Sequence, residues 1–517
     1  MLGSLIASFS CSRTTILSGC TGSKSKNSAN DQDCCKKLVF HFELVWVKTD
    51  YFVGYFNEWQ IYMKIHFVAI GGSVMHQLAI ALKQKGYEIT GSDDEIFEPA
   101  AGNLAKAGIL PNDSGWFPEK INPSLHAVIL GMHAKADNPE LLKAEELHLP
   151  IYSFPEYIFQ ESKNKIRVIV GGSHGKTTTT SMIMHVLKQA GKDFDYLVGA
   201  RLHGFDQSVK ITNAPVIICE GDEYPASTIE KKPKFHFLYP HIAVITGIAW
   251  DHINVFPTFE NYLDQFRIFI EKIEEGGHLI YNETDDILSN LVQQHKRLNI
   301  NYHPYRLPSH NIENGKTEIE IEGIKTGLQV FGNHNLLNLN AAYLVCKQLN
   351  ISAEVFLQAI SSFTGAAKRL ELLAQSESTI VYRDFAHAPS KVKATIDAVK
   401  HQFPQRTLIA ILELHTFSSL SEKFLQEYNG SLEAADYAAV FFSKHALELK
   451  RLPDLKTETV AAGFNKSDLQ VFNNKTSLEM WLENRDYKNS VILFMSSGNY
   501  DGLNVELFAK RITQAAA

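Results

Sequence analysis

The chain is predicted to be an α/β protein built from several parallel-sheet units. Three observations carry that reading. Short β-branched runs end at glycine, helix-patterned segments follow them, and this alternation recurs from Met63 to the C-terminus. At 517 residues the chain exceeds one core and implies two to four domains.

The first unit opens with "MKIHFVAIGGS". Lys64 to Ile70 reads as a strand, Gly71-Gly72-Ser73 as a turn and Val74 to Lys85 as a helix. A second strand, Tyr87 to Thr90, ends in Gly91-Ser92-Asp93, so an acid stands about twenty residues past the turn, as in a Rossmann-like βαβ start. G-x-G-x-x-G is absent, and a nucleoside diphosphate with its ribose fits as well as a dinucleotide. A further strand, Ala127 to Leu130, leads into "GMHAKADNPE".

The second unit starts at Ile166. Its stretch "VIVGGSHGKTTTTSM" joins a buried strand, Arg167 to Val170, to a helix pattern over Ser181 to Lys188. The turn between them aims backbone N–H groups, a helix N-terminus and Lys176 at one anion, and the Thr177 hydroxyl can ligand Mg²⁺. The usual spacing would put a glycine at Val170, so only the shorter G-x-x-G-K-T is present. The competing reading is a plain glycine-rich turn with an exposed lysine. Strands at Pro215 to Cys219 and Ile242 to Ile245 end in "EGDE" and "TGIAWDHINVF". Singly, each acid there is an ordinary loop carboxylate; beside a phosphate loop they suit a hard cation. "FGNHNLLNLNAAYLVC" starts a helix with an Asn/His cluster that serves either as a cap or to read an adenine edge. The third unit runs from about Gly365, with strands at Thr407 to Leu412, Ala438 to Phe442 and Val491 to Met495.

Composition bounds the function. Charged residues at 21% and hydrophobic ones at 45% describe a soluble globular protein, and a net charge of −7 argues against a dedicated nucleic-acid binder. No apolar run approaches a membrane span. Beyond residue 62 the only cysteines are Cys219 and Cys346, which fits a reducing cytoplasm. Residues 1–62, with Cys11, Cys20, Cys34 and Cys35, read as a non-native or disordered extension ahead of a natural start at Met63; an export segment is the alternative.

These motifs, in this order, resemble the Mur ligase family, whose three-domain members join a carboxylate to an amine using ATP. The resemblance rests on "IHFVAIGGS…GSD", "GGSHGKTTTT", "EGDE", "DHIN", "GNHNLLNLNAA", "KRLELL" and "DFAHAPSKV". It implies a Rossmann-like UDP-sugar domain at 63–163, a P-loop ATPase domain at 164–364 and a Rossmann-like amine-substrate domain at 365–517. Within the family, "GSDDEIFEPA" and "MSSGNYDG" point to the murein peptide ligase branch, which attaches L-alanyl-γ-D-glutamyl-meso-diaminopimelate to UDP-N-acetylmuramic acid. The L-alanine-adding branch is the nearer alternative, and a non-catalytic sugar-nucleotide sensor the more distant one.

The resemblance assigns roles residue by residue. ATP would lie on Gly172, Ser173, His174, Gly175, Lys176, Thr177 and Thr178, with Asn335 and Asn338 at the adenine. Mg²⁺ would be held by Thr177, Glu220 and His252. Lys176, His252, Arg369, Asp384 and His387 would be catalytic. The UDP-sugar would meet Gly71, Gly72, Ser73, Ser92, Asp93, His133 and Asn138. The amine substrate would meet His415, Thr416 and Ser418 at one strand end and Ser497, Asn499 and Tyr500 at another. Asn254 departs from the family's D-H-x-D, and no lysine follows it before Lys272, so no carbamylated lysine is implied.

Overall fold

The structure is a computed structural model and describes residues 63–515 except 133, 200, 201, 203, 228, 251–254 and 366–368. The described residues belong to one compact unit, 61–517. Residues 1–62, with the expectations placed on them, lie outside the described residues, as do His133, His252 and Asn254.

Among the described residues, twenty strands form four sheets. β1 (Lys64–Val68), β2 (Glu88–Ser92), β3 (Ala127–Leu130) and β4 (Ile151–Ser153) form a parallel sheet in the order β2-β1-β3-β4. β5 (Ile166–Gly171), β6 (Asp195–Leu197), β7 (Val209–Lys210), β8 (Val216–Glu220), β9 (Ile242–Ile245), β10 (His278–Asn282) and β11 (Asn301–Tyr305) form a second, ordered β11-β10-β9-β5-β8-β6-β7. Only its edge strand β7 is antiparallel. The last sheet holds β15 (Glu371–Gln375), β16 (Thr379–Asp384), β17 (Thr407–Leu414), β18 (Tyr437–Phe442), β19 (Gln470–Phe472) and β20 (Ser490–Met495), ordered β15-β16-β20-β17-β18-β19 with β15 antiparallel.

Between them lies a sheet the motif reading did not foresee: β12 (Ser309–Glu313), β13 (Lys316–Ile321) and β14 (Ile324–Leu328), an antiparallel meander. Its signal was in the sequence. Asn314-Gly315 joins β12 to β13, and Thr317, Ile319 and Ile321 alternate inward along β13.

The core is arranged around β5, whose period of two sends side chains to opposite faces. Val168 and Val170 pack with Met182, Val186, Leu336 and Leu339 from the helices Lys176–Gln189 and Asn333–Gln348. Ile169 faces a cluster with Phe235, Tyr262, Phe266 and Phe269, all fully buried. Each such side chain is worth about 1.5–3 kcal/mol removed from water. The glycine-rich turn at the end of β5 thus stands on a packed base. Cys219 and Cys346 are buried free thiols. No helix among the described residues is long and apolar enough to cross a membrane.

Candidate functional site

The turn after β5 needs its glycines. Gly172 has φ 125° and Gly175, which precedes the helix Lys176–Gln189, has φ 81°. A Cβ on Gly172 would fall 2.2 Å from Thr246 Oγ1, and one on Gly175 would fall 2.3 Å from Asn338 Oδ1. Ser173 N–H donates to Gly247 O at 2.9 Å, and Thr246 N–H to Gly171 O at 3.1 Å, so the end of β9 braces the loop. The Ser173 hydroxyl pairs with Tyr262 OH at 2.7 Å and accepts Ala249 N–H at 2.7 Å. Ser173 therefore fastens the loop, while the helix N-terminus supplies the open donors. Gly175→Ala is expected to cost about 1–2 kcal/mol from backbone strain alone. It is also expected to weaken ADP binding, because either the loop or Asn338 must move; equilibrium unfolding and calorimetry check the two effects.

Lys176 reaches back across the loop, its Nζ 2.6 Å from Gly172 O and 2.8 Å from Glu223 Oε2. Burial alone would lower its pKa, but Glu223, with Asp222 and Glu220 behind it, outweighs burial and holds Lys176 above the ordinary lysine value. Its charge is secure at neutral pH. Glu223, only 1% exposed, is a partner that motif reading missed; it is the last acid of "EGDE".

The first acid, Glu220, accepts the Thr177 hydroxyl at 2.6 Å and Gly199 N–H at 2.9 Å. Two hard oxygens, one on the helix start and one on the end of β8, stand close enough to share a cation. No cluster of three or more acidic, histidine or cysteine ligands occurs among the described residues. Two protein oxygens with phosphate and water completing the shell nonetheless suit Mg²⁺. The expected third partner, His252, lies outside the described residues.

Opposite the loop, the helix Asn333–Gln348 begins at Gly332. Asn335 donates its amide to Phe331 O at 2.9 Å, and Asn338 abuts Gly175. Both are buried, so each links the helix to its surroundings before it meets a base.

A cleft of about 380 Å³ separates these elements from the third sheet; loop residues 173–178 and Glu220 wall one side, and Arg369, Asp384, Ser390 and Lys391 the other. Arg369 lies over the Phe385 ring at 4.8 Å. His334 also lines the cleft, its pKa lowered by burial against the opposing pull of Asp384. Two of the expected third-domain residues have local partners in the structure. Asp384 accepts Leu370 N–H at 2.6 Å and Ala386 N–H at 2.7 Å, so its carboxylate holds the turn that presents Arg369. His387 is not among the cleft's walls; its Nδ1 lies 2.8 Å from Phe385 O and its ring packs edge-on to Phe385.

In the first sheet, the acid expected to contact a ribose turns inward. Asp93 Oδ2 accepts Gly71 N–H at 2.7 Å. Burial pushes Asp93 up to about 6, which the Gly71 N–H opposes and Asp94 reinforces. Gly72 precedes the helix Ser73–Gln84, and Ser73 is exposed. Ser92 Oγ accepts from Lys120 at 3.3 Å. Asn138 caps the helix Pro139–Glu146, accepting Glu140 N–H at 2.9 Å and Leu141 N–H at 3.2 Å, so its oxygen is already engaged. A second cleft, about 930 Å³, runs from Met132 to Lys231, Lys232, His236 and Lys272. The "KKPK" run at 231–234 was its unused sequence signal.

At the carboxyl edge of the last sheet, His415 and Ser497 are part-exposed and Ser418 and Asn499 exposed. Thr416 Oγ1 accepts Ser419 N–H at 3.1 Å and closes a local turn. Tyr500 does not face the groove. Its φ of 52° folds it back until it is 3% exposed, with its hydroxyl donating to Ile411 O at 2.9 Å and Met495 O at 2.8 Å.

A phosphate loop whose opposite wall comes from another α/β unit is the arrangement of an ATP-dependent ligase, which must enclose a reactive intermediate between the two. The matching family models follow the same order: "Mur ligase family, catalytic domain" over 64–165, "Mur ligase middle domain" over 170–346 and "Mur ligase, glutamate ligase domain" over 368–498. The UDP-N-acetylmuramate–L-alanine ligase of Aquifex aeolicus is 31% identical over 365 residues, 69% of this chain and 78% of that protein. Among solved structures, the UDP-N-acetylmuramate-alanine ligase of Thermotoga maritima aligns with a TM-score of 0.60 at 21% identity, covering 88% of this chain and 98% of that one. A murein peptide ligase from Psychrobacter arcticus aligns at 0.55 and 21%, with the same coverage. The chain belongs to the Mur ligase family, and it is an enzyme, an ATP-dependent, ADP-forming ligase that makes an amide bond.

Proposed function

We propose that the chain joins L-alanyl-γ-D-glutamyl-meso-diaminopimelate to UDP-N-acetylmuramic acid in the cytoplasm, recycling cell-wall peptide. The observation that carries the tripeptide reading is the run of polar groups over two neighbouring strand ends, from His415 and Ser418 to Ser497 and Asn499. A tripeptide offers these groups more carboxylates to bind than a single alanine does.

The donor nucleotide lies along the turn Gly71 to Ser73 and extends toward the basic cleft of Lys231, Lys232 and Lys272, whose charge complements a diphosphate. Residues 172–178 hold the ATP phosphates. Lys176 leaves Glu223 to meet the charge that develops on the transferred γ-phosphoryl group. The muramyl carboxylate oxygen attacks that phosphorus, releasing ADP and leaving an acyl phosphate. Arg369 faces the phosphate from across the cleft and screens its charge. The amine nitrogen then attacks the acyl carbon, and inorganic phosphate leaves. Closure of the third unit over the loop keeps water from the acyl phosphate.

Thr177 and Glu220 hold Mg²⁺, which when bound neutralises phosphate charge. Glu220→Gln keeps one acceptor, for Gly199 N–H, and turns an NH₂ donor toward the Thr177 hydroxyl oxygen, which can accept it. It is therefore expected to fold normally yet to need at least ~10-fold more Mg²⁺ for half-maximal turnover, the order of effect of losing one charged contact; a magnesium titration of phosphate release reads this. The alternative, an L-alanine acceptor, is favoured by the names of the curated relatives. Acceptor profiling of the purified protein with UDP-N-acetylmuramate and ATP separates the two.

A further inference from the structure

The mechanism above leaves a buried carboxylate unused. Glu413, in the last turn of β17, is 1% exposed, yet it stands at the carboxyl edge of the third sheet, where ligands of such sheets bind. One oxygen is satisfied from the neighbouring β20 turn: Oε2 accepts the Ser496 hydroxyl and Tyr500 N–H at 2.9 Å. The other, Oε1, faces His415 Nδ1 at 3.7 Å. Burial raises the Glu413 pKa, against the pull of Ser496, Tyr500 and His415.

The fold is built closely around this pair. A Cβ on Gly498 would come 2.7 Å from His415 Nδ1 and 2.8 Å from Glu413 Oε2, so a larger residue there would push one of the two side chains aside. Next to it, the Ser497 hydroxyl is shielded from solvent with no hydrogen-bond partner among the described residues. His415 itself is 35% exposed, and with Nδ1 toward Glu413 its Nε2 lies on the far side of the ring. The register places Asp384, Met495 and Leu412 level across three adjacent strands, so His415 rises from the same edge as the turn that presents Arg369.

The chemistry of amide formation requires such a group. An α-amino group titrates at about 7.7–8.0, so the acceptor arrives largely as an ammonium and must lose protons to attack. An imidazole oriented by a buried carboxylate is a recurrent solution. We propose that His415, positioned by Glu413, takes the proton from the acceptor amine. The ammonium first gives one proton to solvent; the nitrogen lone pair then attacks the acyl carbon, the C–N bond forms, the C–O bond to phosphate breaks with its electron pair on phosphate, and the second proton passes to His415 Nε2. Glu413 is then a positioning residue that acts through His415. The inference rests on the acyl-phosphate reading and deepens its second step.

The test separates the two steps with hydroxylamine, a nucleophile that is neutral at physiological pH and intercepts acyl phosphates as hydroxamates. In His415→Gln, amide formation with the peptide amine is expected to fall ~10²–10⁴-fold, the usual range for a lost general base, in kcat with little change in acceptor KM. Hydroxamate formation from UDP-N-acetylmuramate and ATP persists. Glu413→Gln, which keeps acceptors for Ser496 and Tyr500, is expected to show the same partition more weakly, and the double variant to be no worse than His415→Gln alone. Full amide formation by His415→Gln, or equal loss of hydroxamate and amide, overturns the proposal while leaving the ligase reading in place. Absence of hydroxamate from the unmodified enzyme overturns the acyl-phosphate reading itself, and the proposal with it. His415 is part-exposed, so its variant folds even if Glu413→Gln does not.

Discussion

Lys176→Ala is expected to lower turnover at least ~10²-fold, the scale on which a preorganised charge stabiliser acts, while leaving UDP-sugar binding intact. The fold sets a condition on how that experiment is read. Lys176 is the cation 2.8 Å from Glu223, a carboxylate only 1% exposed. Removing one member of a buried pair can cost about 3–5 kcal/mol because the other charge stays behind. A destabilised Lys176→Ala would therefore confound stability with catalysis. The pair of variants Lys176→Ala and Lys176→Ala/Glu223→Gln resolves this. The second is expected to recover thermal stability without recovering turnover, measured as ATP-dependent phosphate release at saturating substrates. Near-normal turnover in either removes Lys176 from phosphoryl transfer.

The second large effect concerns the acceptor. The tripeptide carries three carboxylates where L-alanine carries one, and so offers more groups to the polar side chains at the two strand ends. Contacts remote from the reacting amine can be used to orient it, so a truncated acceptor should lose kcat as well as affinity. The tripeptide is expected to exceed L-alanine by at least ~10²-fold in kcat/KM, roughly 2.7 kcal/mol of differential transition-state binding. Competition kinetics with both acceptors measure the ratio directly. Equal or better use of free L-alanine rejects the recycling assignment and leaves the L-alanine-adding reading.

The two predictions draw on different levels of legibility. Lys176 was readable because its role is local. A β-branched run, two glycines at required backbone angles and a helix start occupy consecutive positions, and the structure reproduces them at Ile166–Gly171 and Lys176–Gln189. The acceptor groove was readable only as an address. Strand ends were expected near His415 and Ser497 and were found there, but which side chains face outward was not. Tyr500 sits beside exposed Asn499 and is nevertheless a core residue, plugging the space between Ile411 and Met495.

The amino-acid sequence by itself determined the α/β class, the order of the units, the phosphate loop and the family. All of these follow from periodicity, glycine placement and motif order, which act between near neighbours along the chain. Tertiary structure decided the pairings. It put Glu223 on Lys176, turned Asp93 onto Gly71 N–H, tied Asp384 into its own turn and left His387 off the cleft. It also brought Glu413, Ser496 and Tyr500 together from strands more than eighty residues apart in sequence. The physical reason is that a buried polar group must find a partner, and packing among distant strands chooses that partner. A carboxylate in a motif thus reveals its presence near a site, while its hydrogen bonds, and so its role, depend on what the fold places beside it.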